Sequence, residues 1–231
     1  MFTVNSKIKA CITIAMISIS LSSNAAFSLN GTRYVYEGGK KSLSVMVSNE
    51  SEQKYAGQVW IDNDNAKDKN VYFTTSPTFF KVDPKSKQTI RILDINPDLP
   101  QDRETLTWLN VQEIPPAPKA GGNVLAIALN TRVKLIYRPQ TLADGRKEAE
   151  RKIRLLKNNG KYFLENPTPY YFAITGIKVN GTEVKLNKKE GPQLAKFAPF
   201  SNVQISNALN GNVTINTIDD YGANNEYQVS K

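Results

Sequence analysis

Few residues of this 231-residue chain are of a type and spacing that could do chemistry. Histidine is absent, which removes Ser-His-Asp and Cys-His nucleophile systems and the commonest zinc ligands. Paired carboxylates such as Asp219 and Asp220 could serve acid and base work of the glycosidase kind, but adjacent acids near a turn are ordinarily solvated or salt-bridged. Gly38-Gly39 and Gly121-Gly122 are isolated pairs that read as turns, not as a phosphate-binding loop. These residues point away from an enzyme, and they imply neither a metal nor an organic cofactor.

Cations offer more. The formal charge is +9, and a basic exported protein can meet nucleic acid, an anionic membrane surface or an acidic partner. Arg146, Lys147, Arg151, Lys152, Arg154 and Lys157 fall in one short stretch, which reads as a solvated linker and strand face or as a binding patch. Aromatic residues do not interleave with it until Tyr162, so it lacks the stacking platform that single-stranded nucleic acid requires.

A second cationic feature lies within a long apolar run. Asn123 to Tyr137 reads as one unbroken β-strand, which at about 3.3 Å per residue would span roughly 50 Å. One row of its alternation carries Leu125, Ile127, Leu129, Val133, Leu135 and Tyr137. The other begins with Val124, Ala126 and Ala128 and then turns polar and basic at Asn130, Arg132 and Lys134. Such a strand is longer than an ordinary sheet needs and invites a partner to pair along it.

The elements around it are strands. Lys7 and Lys9 precede an apolar run from Ala10 to Leu21 and a small-residue site near Ala25-Ala26, the pattern of an export signal and too short to span a bilayer. Residues 1–25 are therefore expected to be removed, taking with them two lysines and Cys11, the sole cysteine. The mature protein would enter an oxidising compartment without a disulfide, with no segment for stable membrane insertion. From Phe27 onward about seven short alternating strands, each closed by turn residues, predict an immunoglobulin-like sandwich over 26–139. Trp60 and Trp108 are expected between its sheets. Residues 140–149 read as a linker, and 150–231 as a second β-sandwich that includes strands at Gln193–Phe197 and Val213–Ile218, a hairpin at Asn180-Gly181, and a polar tail from Asn224.

Several stretches together resemble one family, the periplasmic pilus chaperones of the chaperone/usher pathway in Gram-negative bacteria. Leu99-Pro-Gln-Asp-Arg-Glu-Thr-Leu-Thr-Trp-Leu-Asn-Val-Gln-Glu-Ile-Pro115 is similar to the family signature throughout. Gly31 to Gly38 resembles its first-strand motif, Asn123 to Pro139 its last strand of domain one, and Ile218 to Gly222 a second-domain motif. The short Pro115–Gly122 loop resembles the short-loop subfamily.

The resemblance implies an all-β chain of two immunoglobulin-like β-sandwich domains set at an angle with a cleft between them. It implies a periplasmic chaperone, without ATP or metal, that lends a strand to incomplete fimbrial subunits and passes them to an outer-membrane usher. On that basis Leu125, Ile127 and Leu129 fill the subunit's groove. Arg33 and Lys134 hold its C-terminal carboxylate, and Glu104, Arg138 and Asp220 form an interdomain salt-bridge network. The same edge is open to a second copy of the free chain. One geometric problem follows: Leu129 and Lys134 are five apart, on opposite faces of a regular strand, unless twist or a bulge near Asn130-Thr131 reconciles them. A competing reading, a structural or adhesive pilus component, would ordinarily have one incomplete sandwich, whereas this chain reads as two complete ones.

Overall fold

Alternating apolar residues build two hydrophobic cores, one on each side of residue 140. The computed structural model describes residues 25–117 and 127–230. Apart from its last residue the expected export signal lies outside this range, as does Leu125. No helix among the described residues is long and apolar enough to cross a membrane.

In the first domain, strands β1 (Phe27–Leu29), β3 (Leu43–Asn49), β5 (Phe73–Ser76) and β7 (Lys87–Asp94) form one sheet in the order β1-β3-β7-β5. The facing sheet runs β2-β9-β8-β4-β6, from β2 (Arg33–Glu37), β4 (Tyr55–Asn63), β6 (Phe79–Val82), β8 (Thr105–Ile114) and β9 (Asn130–Arg138). Period-two alternation aims Val45, Val47, Ile90 and Ile92 of one sheet at Val59, Leu109, Val111 and Leu135 of the other. Gly57 occupies that inward row where no side chain fits. Phe27 and Phe80 stack there with ring centroids 5.8 Å apart, and a Cβ at Gly57 would lie 2.4 Å from the Phe80 ring.

The two tryptophans are not in this core. Trp60 and Trp108 belong to the outer row of the five-stranded sheet and are only half-buried. Their indole N–H groups donate to Asp62 and Asp64, and Arg132 lies 4.6 Å from the Trp108 ring centroid. Val59 and Leu109, one residue earlier and later, hold the inward places instead.

The second domain pairs β10 (Arg154–Asn158), β11 (Lys161–Asn166) and β14 (Ser201–Ile205) against β12 (Ile174–Val179), β13 (Thr182–Glu183), β15 (Val213–Ile218) and β16 (Asn224–Gln228). Asn180 and Gly181 form the expected hairpin turn, both with positive φ as a type I′ turn requires. Two expectations fail here. Residues 193–195 of the expected strand belong to a short helix, α1 (Glu190–Ala195). The Asn187 side chain accepts the Glu190 amide while the Glu190 carboxylate accepts the Asn187 amide, a reciprocal pair of the capping-box kind that starts the helix. The polar tail is a strand, β16, paired with β15, and its sparse apolar residues had hidden it.

Each domain is pinned by a buried asparagine. Asn49 donates to the Val82 and Asp83 carbonyls and accepts the Ser51 amide and hydroxyl. Asn166 donates to the Tyr170 and Ala198 carbonyls and accepts the Thr168 amide and hydroxyl. The halves share no obvious sequence repeat, yet the same Asn-x-Ser/Thr device closes a strand in both.

An ion network joins the domains. Arg138 Nε lies 2.6 Å from Glu104 Oε1, and Arg138 Nη2 lies 2.8 Å from Asp220 Oδ2. Glu104 also reaches the second domain through its other oxygen, which accepts the Tyr171 amide at 2.7 Å, and its own amide donates to the Pro169 carbonyl. Arg146 extends the network, 3.4 Å from Asp220 Oδ1 and paired with Glu150 at 2.8 Å. Burial opposes the charge on Arg138, but Glu104 and Asp220 outweigh it and hold its pKa above the ordinary value. The neighbouring carboxylate holds a turn instead. Asp219 accepts the Tyr221 and Ala223 amides, and these bonds keep its carboxyl below the usual range although burial works the other way. The paired acids are thus engaged in a salt bridge and a turn.

Two substitutions test this architecture. Gly57→Ala is expected to cost about 1–3 kcal/mol by forcing the Phe27 and Phe80 rings apart. Urea unfolding measures it, and an unchanged midpoint would mean the rings yield freely. Glu104→Ala leaves Arg138 short of a buried partner and is expected to cost about 3–5 kcal/mol. Calorimetry should then show the domains unfolding separately, whereas a single wild-type transition would mean that the network does not couple them.

Candidate functional site

β2 is an edge strand that joins β9 in parallel, and the register sets Arg33 directly beside Lys134. Neighbouring residues on parallel strands point to the same face, so two cations project together. That face is the outer face of the sheet, the one turned toward the second domain. There, Arg33, Leu106, Lys134, Ile136, Tyr171 and Lys196 are among the residues that line a cavity of about 10 Å³. Space of that size holds about one water molecule.

Both cations are pressed against second-domain backbone. Arg33 Nη1 donates to the Ile218 carbonyl at 2.8 Å, and Lys134 Nζ donates to the Ala195 carbonyl. Arg33 Nε is buried with no hydrogen-bond partner among the described residues. Burial lowers the Lys134 pKa to about 8, with the Arg33 and Lys196 charges adding to the effect and Asp64 opposing it. Burial also lowers the Arg33 pKa, against the pull of Asp220 and Asp219. Two cations held side by side in the cleft, with the pKa of each lowered by partial burial, form a site that an anion would relieve.

Of the three apolar residues expected to serve a partner, Leu125 lies outside the described residues. Ile127 and Leu129 are 59% and 45% exposed, large side chains with little to cover them. They precede β9 rather than belonging to it, so among the described residues the expected strand begins at Asn130, and its start at Asn123 lies outside them. The reason lies in the neighbour: β8 ends at Ile114, and Pro115 and Pro116 cannot donate to a ladder. The last contact is Glu113, whose amide donates to the Leu129 carbonyl.

The change of face between Leu129 and Lys134 is real. Pairing of β8 with β9 runs without a register shift from Gln112 opposite Asn130 to Thr105 opposite Tyr137, so no bulge intervenes. Val133, Leu135 and Tyr137 line the core, and strict alternation assigns Leu129 and Ile127 to the same row. Lys134 and Ile136 belong to the opposite row, which faces the cleft. Val133, Leu135 and Tyr137 thus face the domain's own core and Lys134 lies on the other side of the sheet, while Ile127 and Leu129 are exposed and precede the strand.

Sequence reasoning missed Asp64 and Lys196. Lys196 Nζ lies 2.8 and 3.0 Å from the two Asp64 oxygens, and Asp64 also accepts the Trp108 indole N–H. The partners are 132 residues apart, and neither stands in a stretch whose composition marks it. The Ala195 and Ile218 carbonyls carry no sequence signal, because every residue has one.

Comparison with known proteins identifies the family. The family model for the pili and flagellar-assembly chaperone, PapD N-terminal domain, matches residues 26–143, and that for the pili assembly chaperone PapD, C-terminal domain, matches 148–229. Chaperone protein FanE of Escherichia coli is 50% identical over 219 residues, covering 94% of this chain and 96% of its own. The crystal structure of the E. coli chaperone DraB superposes with a TM-score of 0.73 at 27% identity, covering 88% of this chain and 95% of its own. The Salmonella enterica SafB chaperone, solved in complex with SafA pilin, shares the fold with a TM-score of 0.74 at 24% identity over 91% of this chain and 98% of the matched one. With both domains matched and relatives alike over nearly their whole length, the chain belongs to the family of pili assembly chaperones built from a PapD N-terminal and a PapD C-terminal domain.

Proposed function

We propose that this chaperone captures a fimbrial subunit by lending it the segment before β9, while Arg33 and Lys134 hold the subunit's C-terminal carboxylate. The observation that carries the reading is the in-register pairing of Arg33 with Lys134 on the cleft face, next to exposed Ile127 and Leu129 on the same strand path. An incomplete sandwich lacks a strand and so exposes both backbone polar groups and a core groove. A segment with free backbone and an apolar row at every second residue supplies both needs. Leu125, Ile127 and Leu129 fill the groove, and the cation pair fixes where the client chain ends. That fixed end sets the register of the whole pairing, since a slip of one residue would turn the apolar row away from the groove.

The family is one of chaperones, and relatives such as FanE carry that name, which favours this role over a structural or adhesive fibre component. The subunit is then kept from aggregating through its open edge. Action in the periplasm and delivery to an outer-membrane usher follow from the family membership and the expected export signal. Free protein exposes the same apolar segment, so a second copy of the chain is a natural competitor for it.

Lys134→Ala and Arg33→Ala are each expected to leave a folded protein while weakening subunit capture about tenfold to a hundredfold, the loss of one or two charge-assisted hydrogen bonds. Co-purification of a fimbrial subunit measures this, and wild-type recovery with both variants would refute the site. A pH test is sharper. With its pKa near 8 in the free protein, Lys134 is charged below that pH, and a bound carboxylate raises the pKa. Capture is therefore at full strength below pH 8 and weakens above it by up to about tenfold per pH unit, because binding must then take up a proton. Lys134→Arg stays charged throughout, and its affinity should stay level where the wild type falls. Equal slopes in the two proteins would remove Lys134 from the site.

A further inference from the structure

The cleft holds more positive charge than the Arg33 and Lys134 pair. Lys196, just after α1, lines the same cavity from the second domain, and the carbonyl of the residue before it is the acceptor for Lys134. Its ammonium is held by Asp64, which follows β4 in the first domain. Asp64 is anchored in turn by the indole of Trp108, and Trp108 is the register partner of Lys134. A carboxylate from one domain thus meets a cation from the other at the edge of the site proposed above. Asp220, another acid lining the cavity, is already engaged by Arg138 and Arg146.

A carboxylate offers two oxygens and about four acceptor positions. In the cleft as it stands there is no room for one, since the cavity of about 10 Å³ is the size of a single water. Arg33 Nη1 and Lys134 Nζ are each engaged by a backbone carbonyl and Lys196 by a carboxylate already present, while Arg33 Nε has no partner among the described residues. A chain terminus entering here must displace the Ala195 carbonyl from Lys134, and that movement shifts Lys196, the next residue.

Resting on the reading of Arg33 and Lys134 as the terminus site, we propose that Lys196 is a third cation of that site, with Asp64 as the resident counter-ion that the client's terminal carboxylate replaces. The free protein then stores one of its three cations on an internal carboxylate. Capture becomes an exchange of one carboxylate for another at Lys196, while Asp64 keeps its bond from the Trp108 indole. It also brings a negative charge to Arg33 and Lys134, which in the free protein meet only backbone carbonyls. The mutual repulsion of Lys134 and Lys196 is relieved in the same step.

Two synthetic extended peptides of identical alternating Val and Thr sequence, one ending in a free carboxylate and one in an amide, test this by titration calorimetry at low salt. The wild type should prefer the acid, and Lys134→Ala should abolish that preference. Absence of any preference in the wild type would overturn the terminus site itself, and the present proposal with it. Given the preference, Lys196→Gln should reduce the ratio of acid to amide affinity about tenfold. Asp64→Asn should raise affinity for the acid and leave the amide unchanged. If both variants instead change acid and amide alike, the pair is only a latch between domains, and if neither changes anything, it is a surface ion pair. Either result overturns the role of Lys196 while leaving Arg33 and Lys134 in place. Both side chains lie outside the two cores, so the variants should fold, and unaltered thermal unfolding checks that they do.

Discussion

Arg138 cannot be left alone. It sits at the end of β9 with its side chain only 8% exposed, and a guanidinium in that position must be surrounded by acceptors or the fold fails. The acceptors come from both sides: Glu104 just before β8 and Asp220 after β15. Since Glu104 also takes the Tyr171 amide, one first-domain carboxylate is tied both to a cation and to the backbone of the second domain. The relative position of the two sandwiches follows from satisfying these groups. The cleft is a consequence, and so is the approach of Ala195 and Ile218 to Lys134 and Arg33. A buried ion pair of this kind adds little net stability compared with an apolar contact, but it permits few alternative arrangements.

β9 joins these functions because a strand has two faces and two ends. Its inward row seals the first core with Val133, Leu135 and Tyr137, and its outward row brings Lys134 to the cleft and Arg138 to the interdomain ion network. At one end it is covered on both sides by β2 and β8. At the other, β8 ends before two prolines, and the exposed Ile127 and Leu129 precede β9. The uninterrupted register along β8 keeps the two rows in fixed phase.

Much of this was legible in the residues. Alternation in Leu43–Asn49 and Lys87–Asp94 predicts half-buried strands because a core needs one apolar face, and the Asn180-Gly181 hairpin follows from the backbone that only such residues adopt easily. The tryptophans misled, because bulk suggests a core while the parity of β4 and β8 gives those inward places to Val59 and Leu109. The strand expected at Gln193–Phe197 failed because alternation over so few residues is weak, whereas the reciprocal Asn187 and Glu190 bonds act on the backbone directly. The Asn187-x-x-Glu190 spacing was the available signal.

The sequence by itself determined the two cores, the β class, the lack of histidine chemistry and, through its motifs, the family, and it pointed to Glu104, Arg138 and Asp220, which the fold brings into one ion network. Those properties depend on local periodicity and residue type, which a chain carries along its length. Tertiary structure alone decided which face Lys134 serves, which carbonyls occupy it, and that Asp64 and Lys196, 132 residues apart, meet at its edge. Such contacts arise only once the buried ion network has fixed one sandwich against the other, and no pattern within either partner's own segment records them.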